Sequence, residues 1–176
     1  MYKRILTSAL AVFLISATCV SKDNVTLAGN VILPRPAGIE ILDGAYIFTG
    51  EPTVKVVRKK GSAESYTLEI SRKGVKILAA DDAGEFYARQ SLAQLLNAAE
   101  KENGSASLQC QIIEDYPRFP YRGLHIDVSR HFYSIDFLKK QVDAMAMFKM
   151  NRLHLHLTDA AGWRMEIESW PRLTEY

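Results

Sequence analysis

Two short apolar runs that each close on a knot of charge and imidazole constrain this chain more than anything else in it. The first leads into Asp127-Val128-Ser129-Arg130-His131 and the second into His154-Leu155-His156-Leu157-Thr158-Asp159. Between them Ile135, Leu138, Val142 and Met145 recur at helical spacing, with Phe148 continuing the stripe and Ser134 placed to cap the start. Strand, helix and strand in that order make a crossover that pairs the two strands in parallel. Functional groups gathered at the C-terminal ends of parallel strands are the pattern with which a (β/α)8 barrel begins. A whole barrel takes roughly 250 residues, whereas only residues 121–176 follow Pro120. The expectation is therefore the first βαβ unit of a TIM barrel, incomplete in this chain.

The residues before it read as a small α+β domain, residues 31–115. Residues 39–42 and 45–48 flank Asp43-Gly44, a dipeptide suited to a tight hairpin turn. Tyr66, Leu68 and Ile70 alternate with polar residues, as do Val75, Ile77 and Ala79, which gives two half-buried strands. Asp82 is placed to cap a helix over residues 83–100, whose Leu92, Leu95, Leu96 and Ala99 share a face. Leu108, Cys110 and Ile112 then alternate as a last strand, so a sheet covered by one helix is expected. Residues 115–120 form a proline-bounded connector, with the first barrel strand beginning at Tyr121 in the barrel segment 116–176.

At the two strand ends, a parallel pairing brings Arg130 and Asp159 to one rim. A guanidinium offers a planar fork of donors suited to vicinal hydroxyls, and a carboxylate beside it fixes its orientation; a structural ion pair is the other reading of the same two residues. Asp127 either holds the strand ends together or braces Arg130. His131 lies beside the arginine, suited to a supporting hydrogen bond. His154 and His156 are two apart on a strand and face the same way. They read either as polar side chains lining the interior or as zinc ligands. Trp163 and Trp170 are aromatic surfaces that fit either stacking on a ligand or packing.

The segment from Asp115 to Tyr176 resembles glycoside hydrolase family 20, the β-N-acetylhexosaminidases. The resemblance rests on Pro117-Arg118-Phe119-Pro120-Tyr121-Arg122-Gly123, Asp127-Val128-Ser129-Arg130-His131-Phe132, His154-Leu155-His156-Leu157-Thr158-Asp159 and Ser169-Trp170-Pro171-Arg172-Leu173-Thr174, in order and at family spacing. Tyr87 and Gln90-Ser91-Leu92 look like the helix of the non-catalytic domain that precedes the barrel in that family. Most relatives place a further strand and helix ahead of the strand that carries Tyr66, where this chain has only residues 50–65, so the domain reads as shortened.

The resemblance implies that Arg130 binds hydroxyls of a terminal N-acetylhexosamine and that Asp159 supports it, with Asp127, His131 and His156 in supporting positions. It implies no metal and no organic cofactor. Catalysis in the family is substrate-assisted, an exception to the two-carboxylate scheme, and uses an adjacent Asp-Glu pair after the fourth strand. That pair is expected beyond Tyr176, and neither Asp81-Asp82 nor Glu114-Asp115 fits its motif. Ala160-Ala161 replaces the acidic and amide pair that many relatives carry after the motif aspartate.

Lys3 and Arg4 precede an apolar run over residues 5–17, followed by polar residues 21–24. That run is too short to span a bilayer and reads as a signal peptide, residues 1–19, with a tether over 20–30. Cys19 at the junction resembles the lipidated cysteine of bacterial lipoproteins; simple cleavage near Ala17 is the alternative. Export is expected, to the periplasm, the outer membrane or the medium, with membrane contact only through such an anchor. The formal net charge of +2 and the absence of a long basic cluster argue against nucleic acid. Cys110 has no evident partner, so no disulfide framework is expected. The reading is thus the N-terminal portion of an exported enzyme that acts on N-acetylhexosamine-terminated glycans. Its alternatives are a non-catalytic glycan-binding lipoprotein and a metal-dependent barrel hydrolase.

Overall fold

A computed structural model describes residues 31–99, 101–160 and 162–175. The expected signal peptide, the tether, Cys19 and Ala161 lie outside the described residues.

Strands β1 (Gly38–Thr49), β2 (Val54–Arg58), β3 (Tyr66–Ser71) and β4 (Gly74–Ala79) are followed by helix α1 (Asp82–Ala98) and by strands β5 (Lys101–Glu102) and β6 (Ser105–Asp115). They form one sheet in the order β1-β6-β3-β4-β2, with β5 beside β6. Only β2 and β4 pair in parallel; the other contacts are antiparallel. Apolar side chains two apart on β3 and β4 put Leu68, Ile70, Val75 and Ile77 on one face, against which α1 lays Tyr87, Ala88, Ser91, Leu92 and Leu95. Gly84 is what lets the helix start so close to the sheet, because a Cβ there would strike the backbone carbonyl of Ser65.

Four local expectations are corrected. Asp43-Gly44 makes no hairpin: β1 runs straight on beside β6, and Ile41 pairs with Gln111 while Ala45 pairs with Gln109, so the extra residues bulge out. Gly44 takes φ +96° there, a conformation as useful to a bulge as to a turn. The helix is capped by Asp81, not Asp82, through its Oδ1 and the Gly84 N–H at 2.8 Å. The span 50–65 contains strand β2, which closes the sheet on β4. On β6 the alternation changes phase at Cys110 and Gln111, both buried, so Ile113 enters the core and Ile112 is only half-buried.

Beyond the connector, β7 (Gly123–Asp127), α2 (Ile135–Met147) and β8 (Arg152–His156) form a βαβ unit whose two strands pair in parallel, and β9 (Thr158–Asp159) and β10 (Gly162–Trp163) form a small hairpin after it. Ser134 caps α2 as expected, accepting from the Phe137 N–H at 3.3 Å. The stripe on α2 is not buried as its period suggested: Met145 is, whereas Ile135, Val142 and Phe148 are exposed and Leu138 is half-buried. The reason is geometric, since a two-stranded sheet is narrower than the face laid against it. Fully burying one large aliphatic side chain contributes about 1.5–3 kcal/mol. Leu68, Ile70, Ile77, Leu95, Leu108 and Ile113 all meet that condition in the small domain, so stability is concentrated there.

Directional bonds join the two parts. Lys149, in the turn between α2 and β8, donates from Nζ to Asp115 Oδ2 and to Tyr66 Oη, both at 2.8 Å. Tyr66 Oη also donates to Asp115 and lies 2.6 Å from Ser91 Oγ. Burial lowers the Lys149 ammonium from its usual range against the pull of Asp115, and burial beside that carboxylate raises the Tyr66 phenol. Arg122, just ahead of β7, reaches Glu64 Oε2 at 2.5 Å and Tyr87 Oη at 3.0 Å. Gln94 on α1 donates to the Met147 carbonyl at 2.8 Å. A cavity of about 320 Å³ remains in this seam, bordered by Tyr66, Tyr87, Phe119 and Arg122.

Candidate functional site

The parallel register runs from Gly123 opposite Arg152 to Asp127 opposite His156, so both strands end level. At that level the chain turns on Asp127, whose Oδ1 accepts from the N–H groups of Ser129 at 3.0 Å and Arg130 at 2.9 Å. An aspartate that holds its own following backbone in this way builds a turn without further help. It folds Arg130 back over the strand ends, where Nη2 meets Asp159 Oδ2 at 2.8 Å and Nη1 approaches Asp127 Oδ2 at 3.3 Å.

Asp159 is delivered by the hairpin. Its Oδ1 accepts from the Ala160 N–H at 2.7 Å, and the hairpin is tied to the end of β7 by Ser129 Oγ donating to the Gly162 carbonyl at 2.5 Å and by Arg164 Nε donating to the Val128 carbonyl at 3.2 Å. The approach is close, for a Cβ on Gly162 would sit 3.0 Å from the Ser129 carbonyl. Backbone N–H donation lowers the Asp127 carboxyl below the usual range, chiefly from Arg130, with the charge of the Arg130 guanidinium a lesser aid. Asp159 is lowered by the Ala160 N–H first and by the Arg130 charge second.

His156 lies between the two carboxylates, with Nδ1 3.6 Å from Asp127 and Nε2 3.6 Å from Asp159, too long for hydrogen bonds. Its Nε2 is 3.0 Å from the Thr158 carbonyl, and since a carbonyl only accepts, that nitrogen carries the proton. His125 completes a ring cluster, with centroids 4.6 Å from His154 and 6.0 Å from His156. Among the described residues no group of three His, Cys, Asp or Glu side chains is placed to hold a metal ion.

Of the residues singled out from sequence, Arg130, Asp127, Asp159 and His156 therefore converge. His131 is exposed and lies edge-on to Tyr133 at 4.9 Å, and no hydrogen bond or ion pair among the described residues links it to the cluster. Trp163 is half-buried and donates from Nε1 to the Met165 carbonyl, while Trp170 is exposed. The adjacent acids of the small domain have other tasks: Asp81 caps α1, Asp82 pairs with Arg58, and Asp115 holds Lys149. Sequence reading passed over His125, Ser129 and Arg164. His125 was open to detection, because it lies two residues before Asp127 and so on the same strand face. Ser129 and Arg164 act through a hairpin that carries no periodic signal.

The rim's free capacity lies in Arg130. Its side chain is 67% exposed although both carboxylates hold it from beneath. A pre-oriented, solvent-facing guanidinium is a donor array for hydroxyl or carbonyl oxygens.

The model for glycosyl hydrolase family 20, domain 2, matches residues 51–116 and that for the family's catalytic domain matches residues 119–176. The chain belongs to glycosyl hydrolase family 20. It is 41% identical over 136 residues to a beta-hexosaminidase of Porphyromonas gingivalis, an alignment that covers 75% of this chain and 17% of that protein. It is 45% identical over 128 residues to an N,N'-diacetylchitobiase of Vibrio harveyi, covering 73% of this chain and 13% of that one. Among solved structures it is similar to the GH20 exo beta-N-acetylglucosaminidase from Vibrio harveyi in complex with N-acetylglucosamine, with a TM-score of 0.75 and 29% identity over 86% of this chain and 29% of that chain. The chain thus spans less than a fifth of the length of the curated relatives named here.

Proposed function

We propose that this chain is part of a β-N-acetylhexosaminidase that removes terminal, non-reducing N-acetylhexosamine from glycoconjugates. The observation that carries the reading is the Arg130 guanidinium, held by Asp127 and Asp159 at the ends of two parallel strands and open to solvent. Arg130 would donate to ring hydroxyls of the terminal sugar. Asp159 would fix the plane of the fork, and Asp127 the turn that carries it. Strands β7 and β8 are read as the first two of a (β/α)8 barrel.

The reaction proposed for the whole enzyme is retaining and substrate-assisted. The sugar's acetamido oxygen bonds to the anomeric carbon as the glycosidic C–O bond breaks, and a carboxylic acid protonates the departing oxygen. Water then opens the oxazolinium ring and returns a proton to that carboxylate, leaving the β-anomer. The acid and its neighbouring aspartate are expected beyond Tyr176, and no residue of this chain is assigned their role. The leader is proposed to export the protein, with Cys19 as its lipidated terminus.

The test is hydrolysis of 4-nitrophenyl N-acetyl-β-glucosaminide by the full-length protein, compared with the corresponding glucoside. Release from the first and not the second is expected, since the glucoside lacks the attacking acetamido group. Equal release from both, or none from either, overturns the reading.

A further inference from the structure

Arg122 lies at the opposite end of β7 from the rim, yet more elements meet on it than on any residue of the rim. Its Nε donates to the Lys149 carbonyl at 2.7 Å and its Nη1 to the Phe119 carbonyl at 2.8 Å, while Nη2 serves Glu64 and Tyr87 of the small domain. Its backbone is engaged as well: the Arg122 N–H donates to Asn151 Oδ1 at 3.0 Å, and its carbonyl accepts from the N–H groups of Asn151 at 2.8 Å and Arg152 at 3.2 Å. The entrances of β7 and β8, the connector and the small domain are therefore fastened to one residue, whose side chain is 18% exposed.

We propose that Arg122 is a positioning residue for the sugar-binding rim, through which the small domain sets how β7 and β8 lie against each other. Strands are stiff along their length, and five residues from Arg122 to Asp127 span about 16 Å. Whatever fixes the relative height of the two strands at the entrance fixes it at the exit. There the height decides whether Asp127 stands opposite His156 and whether Asp159 reaches the Arg130 guanidinium. Lys149 reinforces the hold, since the residue whose carbonyl Arg122 grips is itself anchored through Nζ to Asp115. This inference rests on the hexosaminidase reading for its kinetic consequence, although its structural consequence stands apart from it.

The test uses the full-length protein with three substitutions. Arg122→Lys keeps the charge and loses the fork; Glu64→Gln removes a charge in the small domain, remote from the sugar; Arg89→Ala, in a surface ion pair of α1 with Glu85, is the control. Kinetics are read well below each variant's unfolding temperature. For Arg122→Lys, KM for 4-nitrophenyl N-acetyl-β-glucosaminide is expected to rise about threefold to tenfold with kcat within about twofold, well inside the hundredfold that an ångström-scale misplacement costs. Glu64→Gln is expected to move KM in the same direction by less, and Arg89→Ala not at all. Amide exchange at Val128, whose N–H donates to the His156 carbonyl across the strand exits at the rim, should quicken in the first two variants. Unchanged KM and unchanged rim exchange overturn the proposal even if both variants melt earlier. If the unsubstituted protein has no turnover, the hexosaminidase reading falls, and the rim exchange alone decides the proposal.

Discussion

Asp127 divides its two oxygens between tasks, Oδ1 building the turn and Oδ2 steadying Arg130. Its lowered carboxyl and that of Asp159 set the sign of the rim's response to acid. A group whose pKa is lower in the folded state contributes in full above its unfolded value, about 3.9 for aspartate, and loses that contribution as pH falls through the lower folded value. The rim should therefore persist through mildly acidic conditions and open only below the ordinary carboxylate range. Carboxylate resonances of Asp127 and Asp159 that titrate at or above that range would contradict this. In the full-length enzyme, Arg130→Lys is expected to reduce kcat/KM by roughly tenfold to a hundredfold, the scale of hydrogen bonds to charged groups, because a point charge cannot hold both carboxylates and a sugar. Arg130, Asp127 and Asp159 were legible in the sequence because strand ends of one parallel sheet must share a rim. His131 was not, since adjacency in the chain says nothing about which way a loop residue turns, and here the Tyr133 ring holds it.

Helix α1 depends on one acid more than its sequence suggests. Asp81 accepts from the Gly84 N–H through Oδ1 and from the Glu64 N–H through Oδ2, so it caps the helix and also holds the loop before β3. Asp81→Ala is expected to cost about 1–2 kcal/mol in urea unfolding, with Asp81→Asn recovering much of it. Asp82→Ala should change little, its partner Arg58 being a surface ion pair. Leu95→Ala, at a fully buried position under the sheet, is expected to cost about 2–5 kcal/mol. Period predicted β3, β4 and α1 because apolar residues recur there at strand or helix spacing, even though the second face of β3 is covered at Thr67. It found β6 but not the change of buried face at Gln111, and it found both halves of β1 but read the bulge between them as a turn. It missed β2 for a different reason: that strand sits at the sheet edge with no residue fully buried, so its pattern carries little contrast.

At the scale of the molecule, burial is uneven. The small domain holds every fully buried large aliphatic on a strand or helix among the described residues, whereas Ile135, Val142, Phe148 and Leu153 of the βαβ unit stand exposed. Amide exchange on residues 20–176 should accordingly be slowest in β3, β4 and β6 and markedly faster in β7, α2 and β8. Equal protection across both parts would show that the βαβ unit is held by more than its own two strands, its helix and the seam.

The seam between the two parts responds to temperature differently from the core it adjoins. Heat capacity rises when apolar surface meets water and falls when polar surface does. Parting Arg122 from Glu64 and Lys149 from Asp115 wets these charged groups together with the aromatic wall of the cavity, so the polar contribution offsets part of the apolar one. The free energy of opening the seam then curves less with temperature than that of a wholly apolar contact, and weakens less on cooling. In the cold, the core of the small domain softens before its grip on the strand entrances does.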